Sequence, residues 1–154
     1  MSATNIEATS GMPSAGLGAR IYSVLSALLV LLVLVQIFVA SSGLFTMAHQ
    51  LDDNQNYSVA DWNNSPYWAI HFINAFAIAL IILIMLGTSF LAKLSAEVKR
   101  LTGILFGLLV LQAVLGFIPW PAPIAALHVL NAFAMLGVAG YLMRRTWAFG
   151  RRAG

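Results

Sequence analysis

Four long apolar runs, separated by short polar stretches, occupy most of the chain, and each run is long enough to cross a bilayer as a helix of about 20 residues. The first extends over residues 21–47, the second over 66–91, the third over 101–118 and the fourth over 123–143. Residues 48–65 form a polar, acidic loop. Residues 93–100 form a short basic one, and Pro119-Trp120-Pro121-Ala122-Pro123 is too brief and too proline-rich for anything but a tight connection. Ser65-Pro66 has the form of an N-cap followed by a first helical position, where the missing proline N–H costs nothing. Residues 1–19 are rich in Ser, Ala, Gly and Thr, lack apolar periodicity and are expected as a flexible tail, and 146–154 as a basic tail. The fold class this predicts is an all-α integral membrane four-helix bundle, with the spans confined to residues 20–145.

The second and fourth runs spell nearly the same phrase. Pro66-Tyr-Trp-Ala-Ile-His71-Phe-Ile-Asn74-Ala-Phe-Ala77 matches Pro123-Ile-Ala-Ala-Leu-His128-Val-Leu-Asn131-Ala-Phe-Ala134 at seven of twelve positions. The first and third runs repeat more faintly, through Leu-Leu-Val-Leu-Val-Gln36 and Leu-Leu-Val-Leu-Gln112. Two helical hairpins in parallel repeat, related by an axis along the membrane normal, are therefore expected. Each histidine comes five positions after its proline, roughly 7 Å into its helix at 1.5 Å per residue, so both lie at equal depth near one surface.

Composition narrows the chemistry. Only 8% of residues are charged and 60% are hydrophobic, against about 25% charged in soluble proteins. Absence of cysteine excludes disulfides, iron–sulfur clusters, thiolate metal sites and covalent haem attachment. Phosphate loops, HExxH and serine-triad spacings are missing too, and the basic residues need no nucleic acid partner to explain them. Arg20, Lys93, Lys99, Arg100, Arg144, Arg145, Arg151 and Arg152 all fall on one side of the four runs, which predicts N-in/C-in topology in the cell's inner (cytoplasmic) membrane, with 48–65 outside. Trp62, Trp68 and Trp120 at the outer ends and Trp147 at the inner end fit aromatic belts.

Ionisable groups inside a bilayer are costly and usually functional, and a duplicated pair at one depth has the form of an axial ligand set for one haem b. His71 and His128 are the expected ligands, with Asn74 and Asn131 one turn on as neighbouring hydrogen-bonding groups and Ala75 and Ala132 opening a flat slot. In the alternative reading the same residues are polar contacts between helices of a cofactor-free accessory subunit of a membrane complex. A chlorin held by histidine, or a quinone hydrogen-bonded to it, is a further alternative. Gln36 and Gln112 are read as packing groups bonding each other or main-chain carbonyls, Gly43, Gly103, Gly107 and Gly116 as close-packing positions, and Met135 as a lining residue. His49 beside Asp52 and Asp53 is read as part of a solvated acidic loop.

Four spans, histidines near the outer ends of the second and fourth, Ser42-Gly43-Leu44 closing the first and Gln112-Ala-Val-Leu-Gly116 in the third resemble one half of the haem A synthase family. That family is built of two such four-helix bundles, and the resemblance implies haem ligation by His71 and His128. In the synthase's reactive half a glutamate precedes the second-span histidine by one turn, where this chain has Trp68. The resemblance is thus to the haem-b-holding half, and oxygenation of a haem methyl group is not expected. A bis-histidine haem near the outer leaflet implies a small b-type cytochrome serving electron transfer with a larger respiratory or photosynthetic membrane complex, or within a homo-oligomer.

The one-sided basic residues make topology testable. A tag after Gly154 is expected to resist protease added outside intact cells, and one inserted near Asn56 to be cleaved; the opposite pattern would invert the bundle.

Overall fold

In a computed structural model of the chain, residues 16–53, 56, 58–118 and 121–147 are described. Of the expected tails, 1–15 and 148–154 lie outside them, as do Pro119 and Trp120 and the side chain of Trp62. The described residues form helices α1 (Leu17–Asp52), the short α2 (Val59–Asn63), α3 (Pro66–Leu91), α4 (Ala96–Phe117) and α5 (Ala122–Thr146). Four of these are long and apolar enough to cross a membrane. The protein is an all-helical, multi-pass membrane four-helix bundle.

Each boundary has a local cause. Ser65 caps α3 through an Oγ that accepts the Trp68 N–H at 3.2 Å, with Pro66 in the first turn, so α3 has the extent expected of the second run. Ser95 caps α4 in the same way, accepting from Val98 N–H at 3.4 Å. This cap corrects the expected basic loop: α4 begins at Ala96, and Lys99 and Arg100 sit in its first turns. At the other end of the bundle α1 continues to Asp52 and α2 follows, where the polar composition of 48–65 predicted a loop. At 1.5 Å per residue the 36 residues of α1 reach about 54 Å, well past a ~30 Å hydrocarbon core. The fourth span starts one residue before Pro123 and runs three beyond Met143. In the turn before α2, the Asp61 carboxylate accepts both the N–H and the hydroxyl of Ser58, which holds it below the usual carboxylate range.

The helices pack in a ring, α1 against α3, α3 against α4, α4 against α5 and α5 back against α1. Consecutive spans are antiparallel neighbours, so the two histidine helices, α3 and α5, face each other across a diagonal and run in the same direction. The arrangement gives the sequence repeat a structural form. On α3 the buried positions Asn74, Ile78, Ile82 and Met85 recur on α5 as Asn131, Met135, Ala139 and Leu142, in the register that separates the two histidines. On α1 the buried Tyr22, Ser26, Leu29 and Val39 recur on α4 as Val98, Thr102, Leu105 and Leu115, in the register that separates the two glutamines.

Leu29, Ile82, Met85, Leu105 and Leu142 are wholly buried and form the central apolar layer. Met135, expected to line a ligand slot, belongs to this core with Ile78. Outward positions such as Phe38, Ile73, Phe76, Leu80 and Phe133 are exposed, as lipid-facing side chains are. The described Lys and Arg residues gather at one end, where the first turn of α1 approaches the end of α3 so closely that a Cβ on Gly18 would stand 2.6 Å from that of Ala92. There Tyr22 and Thr102 share a hydrogen bond across the bundle, and Glu97 of α4 accepts from Tyr141 Oη at 2.7 Å and lies 3.6 Å from Arg145 of α5.

The α3–α4 connection is a Schellman turn with an unusual residue in its special position. Lys93 N–H bonds Phe90 C=O at 3.1 Å and Leu94 N–H bonds Ser89 C=O at 3.2 Å, while Lys93 itself has φ 51°. That left-handed conformation costs a residue with a Cβ about 1 kcal/mol or more. Lys93→Gly is therefore expected to raise the unfolding free energy in detergent by about 1 kcal/mol, read as a higher thermal midpoint. An unchanged or lower midpoint would mean the turn carries no strain.

Candidate functional site

At the end opposite the basic residues, the second turns of α3 and α5 bring His71 and His128 together. Their ring centroids are 6.4 Å apart and the planes are inclined by 40°. The two histidines expected as a pair from the repeated frame do meet across the bundle diagonal. Beside them is a cavity of about 470 Å³, within the usual range of small-molecule sites, lined by Ala40, Leu44 and Met47 of α1, Tyr67, Trp68 and His71 of α3 and His128 of α5. Among the described residues no group of three or more His, Cys, Asp or Glu side chains is clustered as a metal site.

One turn deeper, the polar groups sort themselves by hairpin. Asn74 Nδ2 donates to the Leu32 carbonyl at 2.9 Å and to Gln36 Oε1 at 2.6 Å. Asn131 Nδ2 repeats both bonds, to the Leu108 carbonyl at 2.8 Å and to Gln112 Oε1. The glutamines therefore bond the asparagines and not each other, and the asparagines are occupied in joining α1 to α3 and α4 to α5. Leu32 and Leu108 each lie one helical turn before the glutamine of their own helix, so one asparagine closes a two-point clamp on a neighbouring helix. Both asparagines are buried, at 8% and 6% exposure. This is the membrane solution to a buried amide: its N–H groups are satisfied between helices.

The remaining glutamine N–H breaks the symmetry. Gln36 Nε2 donates to the main-chain carbonyl of His71 at 3.0 Å, whereas Gln112 Nε2 lies 2.9 Å from ring Nε2 of His128. Gln112 is therefore in contact with an imidazole, a role that its apolar sequence context had concealed. The available signal was its recurrence in the frame of Gln36. Gly116 was likewise read only as a packing position, yet a Cβ there would stand 3.0 Å from Cε1 of His128, so the bare backbone of α4 forms one wall for that ring. His71 instead stacks on Trp68, with centroids 6.2 Å apart and planes 14° apart. Nδ1 of both histidines is buried without a hydrogen-bond partner.

Small residues beside the imidazoles thus come from α1 and α4, as Ala40 and Gly116, which occupy equivalent positions of the repeat. Ala75 and Ala132 are half-buried along their own helices and are not among the cavity's lining residues. His49 lies in the last turn of α1, outside the site, with Nε2 3.6 Å from Asp53 Oδ2 on an exposed surface.

Residues 58–118, which comprise α2, α3 and α4, match a family of unknown function (DUF6220). No curated protein and no solved structure matches the chain.

The duplicated clamps predict matched energetics. Asn74→Ala and Asn131→Ala each remove two interhelical bonds worth about 0.6 kcal/mol on average and about 1.7 at most apiece in membrane helices. Each variant is expected to lose on the order of 1–2 kcal/mol in detergent unfolding, by similar amounts, with near-additive loss in the double variant. A large loss at one asparagine and none at the other would mean the two clamps are not equivalent.

Proposed function

We propose that the protein is a small b-type cytochrome of the cytoplasmic membrane, with His71 and His128 as axial ligands of one haem near the outer surface, serving electron transfer alongside a larger membrane redox complex. The observation that carries this reading is the facing pair of imidazoles, 6.4 Å between centroids, drawn from two copies of one sequence frame. Two imidazoles that would hold one metal ion through bonds of about 2 Å each need about that separation. The spacing therefore fits a bis-histidine metal.

Three further features support the fit. The adjoining cavity is mostly apolar. The unpartnered buried Nδ1 of each ring is a polar atom with no protein group to satisfy it, and such atoms are rare unless a ligand or cofactor supplies the partner. Ala40 keeps α1 thin beside the cavity, and Gly116 lets the His128 ring lie against α4. Such a haem, when bound, supplies one-electron exchange. The chain's own part is to hold two neutral imidazoles at this separation and to exclude water with Leu44, Met47 and Trp68. The described Lys and Arg side chains lie at the opposite end, so the acidic groups of a haem, were one bound, would depend on the aqueous boundary at this shallow depth. The same depth leaves most of the bilayer uncrossed, and an electron partner at that surface follows from it.

Purified in mild detergent from haem-replete cells, the protein is expected to be coloured, with a b-type spectrum that sharpens on reduction. His71→Ala and His128→Ala should each abolish the six-coordinate, low-spin spectrum, while Asn74→Ala and Asn131→Ala keep it. A folded, monodisperse and colourless protein would reject the cytochrome and favour a cofactor-free accessory subunit or a quinone site.

A further inference from the structure

A second opening lies at the other end of the bundle, among the basic residues. A groove of about 330 Å³ runs between α4 and α5, lined by Glu97, Arg100 and Leu101 of α4 and by Gly137, Val138 and Tyr141 of α5. Each set keeps to one face of its helix. Because α4 enters the bundle from this end and α5 leaves by it, Gly137 and Val138 are the deep floor of the groove and Glu97 is its shallow rim. Side chains lean toward the N-terminus of their helix, which on α4 turns Arg100 back toward that rim. The groove is thus charged where the membrane ends and apolar where it begins.

Two further details define what fits there. Gly137 is exposed, and apart from its chain neighbours and its own helix backbone no atom lies within 4 Å of where its Cβ would stand, so the floor is open space. At the rim, Glu97 accepts from Tyr141 Oη at 2.7 Å and lies 3.6 Å from Arg145 Nε, which ties the two walls together and occupies the carboxylate. Arg144 follows Tyr141 by three residues on α5. Arg100, Arg144 and Arg145 against Glu97 set three positive charges against one negative, leaving the rim in positive excess.

We infer that this groove holds one anionic phospholipid of the leaflet at the basic end, with its phosphate at Arg100 and Arg144 and an acyl chain laid over Gly137 and Val138. Basic pockets between membrane helices recognise such head groups, and the apolar floor takes the chain that a free anion lacks. A zwitterionic lipid would bring a positive group to a rim already in positive excess, and a second copy of this chain would bring the same basic end. The inference is independent of the haem reading.

The probe is an equal mixture of phosphatidylglycerol and phosphatidylcholine with identical acyl chains, added to the delipidated full-length chain in mild detergent and read by native mass spectrometry. One phosphatidylglycerol per chain is expected to be retained in preference to phosphatidylcholine. Arg100→Gln should lower that preference about fivefold, the worth of one basic side chain at a charged surface, and Arg100→Lys should keep it. Gly137→Phe, which fills the floor from within, should lose both lipids. Arg20→Gln removes an equal charge at the same end outside the groove and should leave the preference unchanged; this comparison with Arg100→Gln decides the matter even where Gly137→Phe fails to fold. Equal retention of the two lipids, equal losses in Arg20→Gln and Arg100→Gln, displacement of phosphatidylglycerol by inorganic phosphate, or a lipid-free dimer would each overturn the inference. None of these readouts depends on haem, so a colourless protein leaves the test intact.

Discussion

The bundle depends on a side-chain amide reaching across a helix interface to two acceptors at once. In each hairpin an asparagine donates to a glutamine oxygen and to the leucine carbonyl one turn before that glutamine. Apolar packing alone does not set helix register in lipid, because the solvent is as apolar as leucine. A buried amide does, since sliding a helix by one residue would leave its polar groups unpaired in hydrocarbon. The clamp lies one turn from each histidine, so the bonds that set the register of α3 on α1 and of α5 on α4 also set the depth of both imidazoles. Equal depth is thus a consequence of equal clamps.

Much of this was legible because the chain repeats itself. The Pro-x4-His-x2-Asn-Ala frame gave the two histidines as a pair, and Ser65-Pro66 gave the start of α3 to the residue. Other features were not legible, for identifiable reasons. Ser95 was hidden as a helix cap because the residues around it, Lys93, Lys99 and Arg100, read as a basic loop; yet charged side chains are at home in a first turn that lies outside hydrocarbon. The polar stretch after Met47 has the composition of a loop, although nothing in it breaks a helix before Asp53, and α1 continues through it. Polarity marks where the membrane ends, and a helix is free to go on.

The site shows a second kind of limit. Gln36 and Gln112 stand in one frame, accept from equivalent asparagines and lie at equivalent depths, yet one donates to a main-chain carbonyl and the other to an imidazole. That divergence is a rotamer choice set by neighbours. Trp68 stands one turn before His71, while the equivalent position before His128 is Ala125, so the stack that claims the His71 ring is not available to the other. His128 is instead met by Gln112 and by Gly116, where α1 carries Ala40.

Duplication therefore provided a symmetric scaffold, and two differences within it, Trp68 against Ala125 and Ala40 against Gly116, break the symmetry at the paired rings. Both act on the rings and leave the clamps intact. The clamps carry stability and register, so each must be kept in both hairpins. The His71 ring makes no hydrogen bond among the described residues, whereas the His128 ring meets Gln112 across the α4–α5 interface. A pair of intramembrane imidazoles with an unpartnered nitrogen on each is a costly feature for a bilayer-embedded bundle to retain. Structural hydrogen bonding accounts for the asparagines and for one nitrogen of His128, and it leaves Nδ1 of both histidines as the buried polar atoms of the site without a partner.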